Sequence, residues 1–311
     1  MSALICGSLA FDSIMVFHDH FKNHILPEKI HMLNVSFLVP EMRREFGGCA
    51  GNIAYNLKLL GSTPQIMATC GADFAPYAAH LDKLNISRQH IRHVEDSFTA
   101  QAFITTDLSD NQITAFHPGA MNFSHLNHVN QASDVTIGII SPDGRDGMLQ
   151  HAREFQEAGT PFIFDPGQGM PMFDGNDLMA FVELADYVTV NDYEAELLQT
   201  RTGKTLDELA QLVKALIVTR GELGSHIYAD GQVIDIPCAR ASEVLDPTGC
   251  GDAYRAGLLH GIANGMDWAT TGRLASLLGA IKIAHRGGQN HAPSLNDIKQ
   301  LFKAEFGYDF A

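Results

Sequence analysis

Short apolar runs alternate with stretches of helical period along most of this chain, and that rhythm constrains its fold more than any other feature. The candidate buried strands are Leu4–Gly7, Gln65–Thr69, Val135–Ile140, Pro161–Asp165, Tyr187–Val190 and Leu216–Thr219. Parallel strands need a crossover long enough to hold a helix, so this alternation points to β-α-β units and an α/β fold. Several of the runs end at polar or glycine-rich turns: Gly71-Ala72-Asp73, Ser141-Pro142-Asp143, Asp165-Pro166-Gly167, Asn191-Asp192 and Arg220-Gly221. Ligands of open α/β sheets bind beyond the carboxyl ends of the strands, so functional residues are expected at these turns.

Two segments break the rhythm. Residues from about Phe11 to Phe46 hold no amphipathic helix and contain a β-type run, Val35–Val39. Residues Thr99–Phe116 read as two strands, Gln101–Thr106 and Gln112–Phe116, joined by the turn Leu108-Ser109-Asp110-Asn111. Such insertions are either edge decorations or a small sheet of their own, placed as a lid over the site. The second reading divides the chain into a core of residues 1–10, 47–98 and 117–311 and a discontinuous β lid of residues 11–46 and 99–116. The length, 311 residues, suits one large domain carrying a smaller one.

Composition narrows the partners. A net charge of −15 repels nucleic acid, and no basic or amphipathic feature suggests a lipid surface. A nucleotide remains compatible where backbone N–H groups, a few basic residues and a divalent cation offset the acidity locally. The five cysteines show no C-x-x-C spacing, which suggests reduced thiols in a cytoplasmic protein rather than disulfides or a zinc site. The N-terminus reads as a buried strand without a signal peptide, and no stretch reaches the length of a membrane span. His18 and His20 bracket Asp19, but the 15 histidines are scattered and form no H-E-x-x-H motif.

The strongest local feature is Asp246-Pro247-Thr248-Gly249-Cys250-Gly251-Asp252, followed by apolar residues at helical spacing. It reads as a turn entering a helix. The first amides of a helix lack internal partners and carry the positive end of its dipole, so they can hold an anion. Gly249 and Gly251 would let the backbone come close to that anion. Asp252, in the first turn, could take a proton from an attacking hydroxyl while the amides stabilise a transferred phosphoryl group. Taken alone, Asp252 reads more simply as a residue that satisfies the helix start, as most first-turn aspartates do. A second Gly-rich entry, Glu45-Phe46-Gly47-Gly48-Cys49-Ala50-Gly51-Asn52, leads into another helix with one apolar face; its plainer explanation is close helix–sheet packing. Neither segment is a P-loop or a complete G-x-G-x-x-G fingerprint.

Gly47-Gly48 with Asn52, and Asp246-x-Thr248-Gly249-x-Gly251-Asp252, resemble the two signatures of the ribokinase-like (PfkB) kinases. Between them Asn191-Asp192-Tyr193-Glu194 resembles that family's N-x-x-E motif, and Thr219-Arg220-Gly221 with Gly224 its nucleotide loop. Within the family, Gly7-Ser8-Leu9-Ala10-Phe11-Asp12, Leu26-Pro27-Glu28 with Ser36–Val39, and Phe116-x-Pro118-Gly119-Ala120-Met121 look most like bacterial adenosine kinases. The resemblance implies a three-layer α/β/α core with a mainly parallel sheet and a small β lid. It implies ATP-dependent phosphorylation of the 5′-hydroxyl of adenosine. Asp252 would be the general base, with the amides of Gly249, Cys250 and Gly251 as its anion hole. Asp12, Gly48 and Asn52 would hold the sugar, and Phe116 would lie against the base.

Thr219, Gly221 and Gly224 would line the ATP site, and Asn191 and Glu194 would organise Mg²⁺ through water. Many members of that family use K⁺, for which the loops Asp246-Pro247-Thr248 and Arg286-Gly287-Gly288 are the candidates. The oligomer would be a monomer or a homodimer. Ala102 stands where bacterial adenosine kinases place a second aromatic, and Phe103 would face away from it; both leave room for a broader nucleoside kinase. The catalytic motifs equally suit a sugar kinase such as a ribokinase. A non-catalytic ligand sensor would require loss of the base or the anion hole, and both are present.

Overall fold

The computed structural model describes residues 2–25, 31–32, 34–109 and 111–310. Leu26-Pro27-Glu28 and Asp110 therefore lie outside the described residues. Nine strands form one sheet in the order β13-β12-β11-β10-β9-β8-β1-β4-β5. They are β1 (Ser2–Cys6), β4 (Thr63–Cys70), β5 (Ser87–His93), β8 (Ile137–Ile140), β9 (Phe162–Phe164), β10 (Tyr187–Asn191), β11 (Ala215–Thr219), β12 (Ser225–Ala229) and β13 (Gln232–Ile236). Pairing is parallel from β11 through to β5, and β12 and β13 add an antiparallel hairpin at one edge.

Alternation along each central strand divides the core into two layers. Ile5, Ile66, Ile139 and Ile217 face one side, packed against α1 (Cys49–Leu59), α2 (Ala75–Lys83), α7 (Cys250–Ala263), α8 (Trp268–Ile283) and α9 (Leu295–Phe306). Leu4, Met67, Ile140, Phe164 and Val218 face the other, against α3 (Arg145–Glu157), α4 (Gly175–Leu184), α5 (Asp192–Thr202) and α6 (Leu206–Ala210). Both faces of the parallel strands are covered, which is why the runs read as continuously apolar. The result is the expected three-layer α/β/α core. All six anticipated strands are present with small shifts of their ends. The missed strands are polar or peripheral: β5, with the sequence SRQHIRH, is half-exposed.

A second sheet of four strands has the order β3-β2-β6-β7, with β2 (Ala10–Val16), β3 (Glu41–Gly47), β6 (Ala100–Thr106) and β7 (Gln112–His117). The run Val35–Val39 is not a strand, contrary to the sequence reading. It alternates between exposed and half-buried residues but pairs with no strand among the described residues, and Phe37 packs on Phe17 and Phe21 instead. In this part of the chain the strand that pairs with β2 is the charged Glu41–Gly47. Pairing depends on backbone position, and β-propensity alone could not select it.

The small sheet is tied to the core at several points. Tyr77 Oη donates to the Gly47 carbonyl at 2.8 Å, Asp73 accepts from Thr99 N and Gln101 Nε2, and Glu45 accepts from Asn290 Nδ2 at 2.7 Å. Its register sets Asp12, Ala102 and Phe116 in one row on the same face. Ser13, Phe103 and Ala115 form the neighbouring row on the opposite face, so Phe103 points away from Phe116 as expected.

Helices α7 and α8 pack closely at Gly257, where a methyl group would overlap the Ala275 backbone. Gly257→Val should therefore cost about 1–3 kcal/mol through overpacking. Thermal denaturation should show a lowered Tm, and an unchanged Tm would mean that the helix pair has slack at this point.

Candidate functional site

Three glycine-bearing segments meet beyond the carboxyl end of the sheet. The first is the entry to α1, where Gly48 has φ of +83° and a side chain would run into the Ser8 carbonyl. This conformation is open in practice to glycine alone, and it lets the chain leave β3 and start α1 directly after it. The second is the entry to α7, where Gly249 has φ of +78° and no side chain caps the helix. The third is the loop after α8, whose Gly288 Cα lies 3.2 Å from where a Cβ on Gly249 would stand.

At their junction Asn52 Nδ2 donates to Asp252 Oδ2 at 2.8 Å. Asn52 Oδ1 in turn accepts from Gln289 Nε2 at 3.1 Å, and Gln289 Nε2 also reaches Tyr77 Oη at 2.8 Å. The Asn52 amide is thereby committed to orienting Asp252, a buried role that its place in the motif did not reveal. Cys250 N reaches the Pro247 carbonyl at 3.1 Å, and Ala253 N reaches that of Gly249 at 2.9 Å. The amides of Gly251 and Asp252 between them meet no acceptor among the described residues. Two free N–H groups at a helix head, beside a carboxylate, form a ready anion hole.

The charges around Asp252 are closely balanced. Burial pushes its carboxyl up to about 6, helped by Asp165, while the Asn52 hydrogen bond and Arg255 hold it down. Arg255 stands one turn further along α7 and pairs with Asp165, at the end of β9, across 2.9 Å; both are almost fully buried. Burial works against the Arg255 charge, but Asp165, Glu194 and Asp252 together hold it above its ordinary value. The sequence reading passed over this pair. An arginine amid the apolar residues of α7, three places after Asp252, was the available signal, since isolated buried cations need a partner.

Asp12, half-buried on β2, lies near enough to the same group of carboxylates to feel their charge. Burial, then Asp252, Asp246 and Glu45, raise its carboxyl to about 6. Phe116 stands in its row on the edge strand of the small sheet, 52% exposed. Ala102 between them is small and buried.

The remaining candidates lie around the ends of β10 and β11. Asn191 caps α5 by accepting from Glu194 N at 2.7 Å, while the Glu194 carboxylate takes Asn191 N at 2.8 Å and Asn191 Nδ2 at 2.9 Å. Burial raises the Glu194 carboxyl above its usual value. Thr219 ends β11 beside Asn191. Gly221 is exposed with open space around it, whereas buried Gly224 is pressed against the Ile236 carbonyl. Arg220 is bound to Asp235 and the Leu223 carbonyl, a surface arrangement. Among the described residues no cluster of three or more His, Cys, Asp or Glu could hold a metal, and the five cysteines are unpaired. No described helix is long and apolar enough to cross a membrane.

Residues 9–295 match the model of the pfkB family carbohydrate kinases. The chain is 56% identical to a nucleoside kinase of Burkholderia thailandensis solved in complex with inosine, with a TM-score of 0.91 and 99% of each chain covered. The same Burkholderia protein in complex with ADP-inosine gives a TM-score of 0.88, with 99% of this chain and 97% of that one covered. A nucleoside kinase of Methanocaldococcus jannaschii is 31% identical over 87% of this chain and 90% of its own.

A proton transfer to Asp252 needs its ionised form, which is present above about 6 and lost as the pH falls through that value. Any rate that depends on this transfer should fall about tenfold per unit below that point. A flat rate down to ordinary carboxylate values would show that Asp252 takes no proton.

Proposed function

The chain belongs to the pfkB family of carbohydrate kinases, and from that premise we propose that it moves the terminal phosphoryl group of ATP to the 5′-hydroxyl of a nucleoside. It is a phosphotransferase with an alcohol acceptor; the nucleoside is the finer reading. The observation that carries it is the row Asp12, Ala102, Phe116 on the cleft face of the lid. Two strand spacings separate its ends by about 10 Å, roughly the span from ribose hydroxyls to a base. The ionised Asp12 can accept from two adjacent hydroxyls, and Phe116 offers a face for stacking. A free sugar would leave the aromatic end empty. The inosine-bound Burkholderia structure supports the same class of acceptor.

In this reading the 5′-hydroxyl attacks the terminal phosphorus of ATP while Asp252 takes its proton. The free amides of Gly251 and Asp252 receive the charge that develops on the transferred group. Asn52 holds Asp252 toward the incoming hydroxyl. Arg255 offsets Asp165, whose charge would otherwise raise the base further. Thr219 and Gly221 border the ATP site at the end of β11, with Gly224 closing the turn behind it.

Divalent metal neutralises the phosphates in such reactions. Both Glu194 oxygens already accept from Asn191, which suits outer contacts through water rather than direct ligation. Asn191 and Glu194, with their oxygen donors, therefore fit Mg²⁺ held in that manner.

Adenosine is the first acceptor this reading names, yielding AMP and ADP. A broader purine range is the second, favoured by the small Ala102 beside Phe116 and by the inosine complex of the similar protein.

Asp252→Asn should lower kcat by about two to four orders of magnitude while acceptor KM changes far less. Near-normal kcat would remove Asp252 as base. In a panel of ATP-dependent rates, adenosine and inosine should exceed 2′-deoxyadenosine, ribose and fructose in kcat/KM, because a site built for both hydroxyls is left unsatisfied by their loss. Phe116→Ala should depress the nucleosides alone. A free sugar as the best acceptor would replace this reading with a sugar kinase.

A further inference from the structure

Lys282, in the last turn of α8, has no solvent exposure, although a lysine is rarely fully buried. Its Nζ donates to the Asp246 carbonyl at 2.8 Å and to the His285 carbonyl at 2.9 Å. Asp246 begins the turn that ends in the anion hole. Its own carboxylate receives Thr248 N at 2.9 Å and Gly287 N at 2.8 Å, and these bonds outweigh burial to hold it below its ordinary value. The Lys282 tip and the Asp246 side chain thus stitch the turn before α7 to the loop after α8. Gly249 and Gly288 close the same seam from the other side.

A compact cation lodged among main-chain carbonyls is also how proteins hold a bare monovalent ion. We propose that the Lys282 ammonium is a tethered substitute for such an ion: it positions the Asp246–Asp252 turn, and the protein needs no K⁺. The loops named as K⁺ candidates do not suit an additional cation. The Asp246 and His285 carbonyls are engaged, each Asp246 carboxylate oxygen has an N–H donor, and an ammonium already stands at the junction. Lys282 is a positioning residue; it acts through the turn and touches neither acceptor nor base.

This inference rests on the phosphotransferase assignment and not on the identity of the acceptor. The first measurement is the steady-state rate of the intact protein with adenosine and inosine, in KCl and in choline chloride at equal ionic strength. Should neither nucleoside react, the best sugar from the acceptor panel takes their place, so that a wrong acceptor leaves this test standing. Equal rates in the two salts are expected; a requirement for K⁺ overturns the proposal.

The second measurement uses Lys282→Met, which keeps much of the volume and loses the charge. Its kcat should fall roughly 10- to 100-fold through misplacement of the turn, with acceptor KM little changed. Added NH₄⁺ or K⁺ should then restore most of the loss. Full activity without added cation, or a folded variant that no monovalent cation rescues, overturns the proposal. If the variant does not fold, the salt comparison on the intact protein decides alone.

Discussion

One hydrogen bond, from Asn52 to Asp252, joins the heads of two helices whose residues are 200 positions apart in sequence. Much of the site depends on it. It sets the direction of the proposed base, and it can form because Gly48 and Gly249 let both helices begin close together without side chains in the gap. Gln289 and Tyr77 then fix Asn52 from behind, and Tyr77 carries the restraint to Gly47 at the end of β3. A bond to a charged carboxylate contributes about 1.5–3 kcal/mol, enough to favour one rotamer strongly. Strand β3, the first helix and the turn before α7 are therefore parts of one hydrogen-bonded unit.

Electrostatic balance is the second constraint. Asp12, Asp165, Glu194, Asp246 and Asp252 crowd one end of the sheet, and an overall excess of acid adds to the difficulty. Two buried cations answer it. Arg255 forms a geometrically direct pair with Asp165, while Lys282 meets main-chain carbonyls close to Asp246. Each is placed on a helix that also bears glycine at a close contact, so the same packing that narrows the space fixes the charge. The free N–H groups of α7 complete the arrangement by offering positive potential without another basic side chain.

The parallel core was legible in the sequence because residues buried on both faces form uninterrupted apolar runs. Leu4, Ile66, Ile139, Phe164, Val190 and Ile217 sit in such runs. Strand β3 was not legible, since charged Glu41–Gly47 owes its extended form to pairing with β2, whereas the better β-former Val35–Val39 found no partner. In the site, Asp252 and its glycines stood out because the turn chemistry is local. Asn52 was noticed for its place in a motif, but its partner lies on another helix, and its role could not be read locally. Arg255, Gln289 and Lys282 escaped notice, and Asp165 was seen only as part of a turn, because a buried polar side chain looks ordinary until its partner is known.

By itself the sequence determined the α/β class, six strands of the main sheet, the two glycine-rich helix entries and the residues that resemble a kinase signature. These depend on period, backbone freedom and short-range turn chemistry. Tertiary structure alone decided that Asp12 and Phe116 share a face, that Asn52 points at Asp252, and that Arg255 and Lys282 are enclosed. Each of those outcomes is a distance between residues far apart in the chain. Such distances are set by sheet register and helix packing, for which no local pattern of residues carries the information.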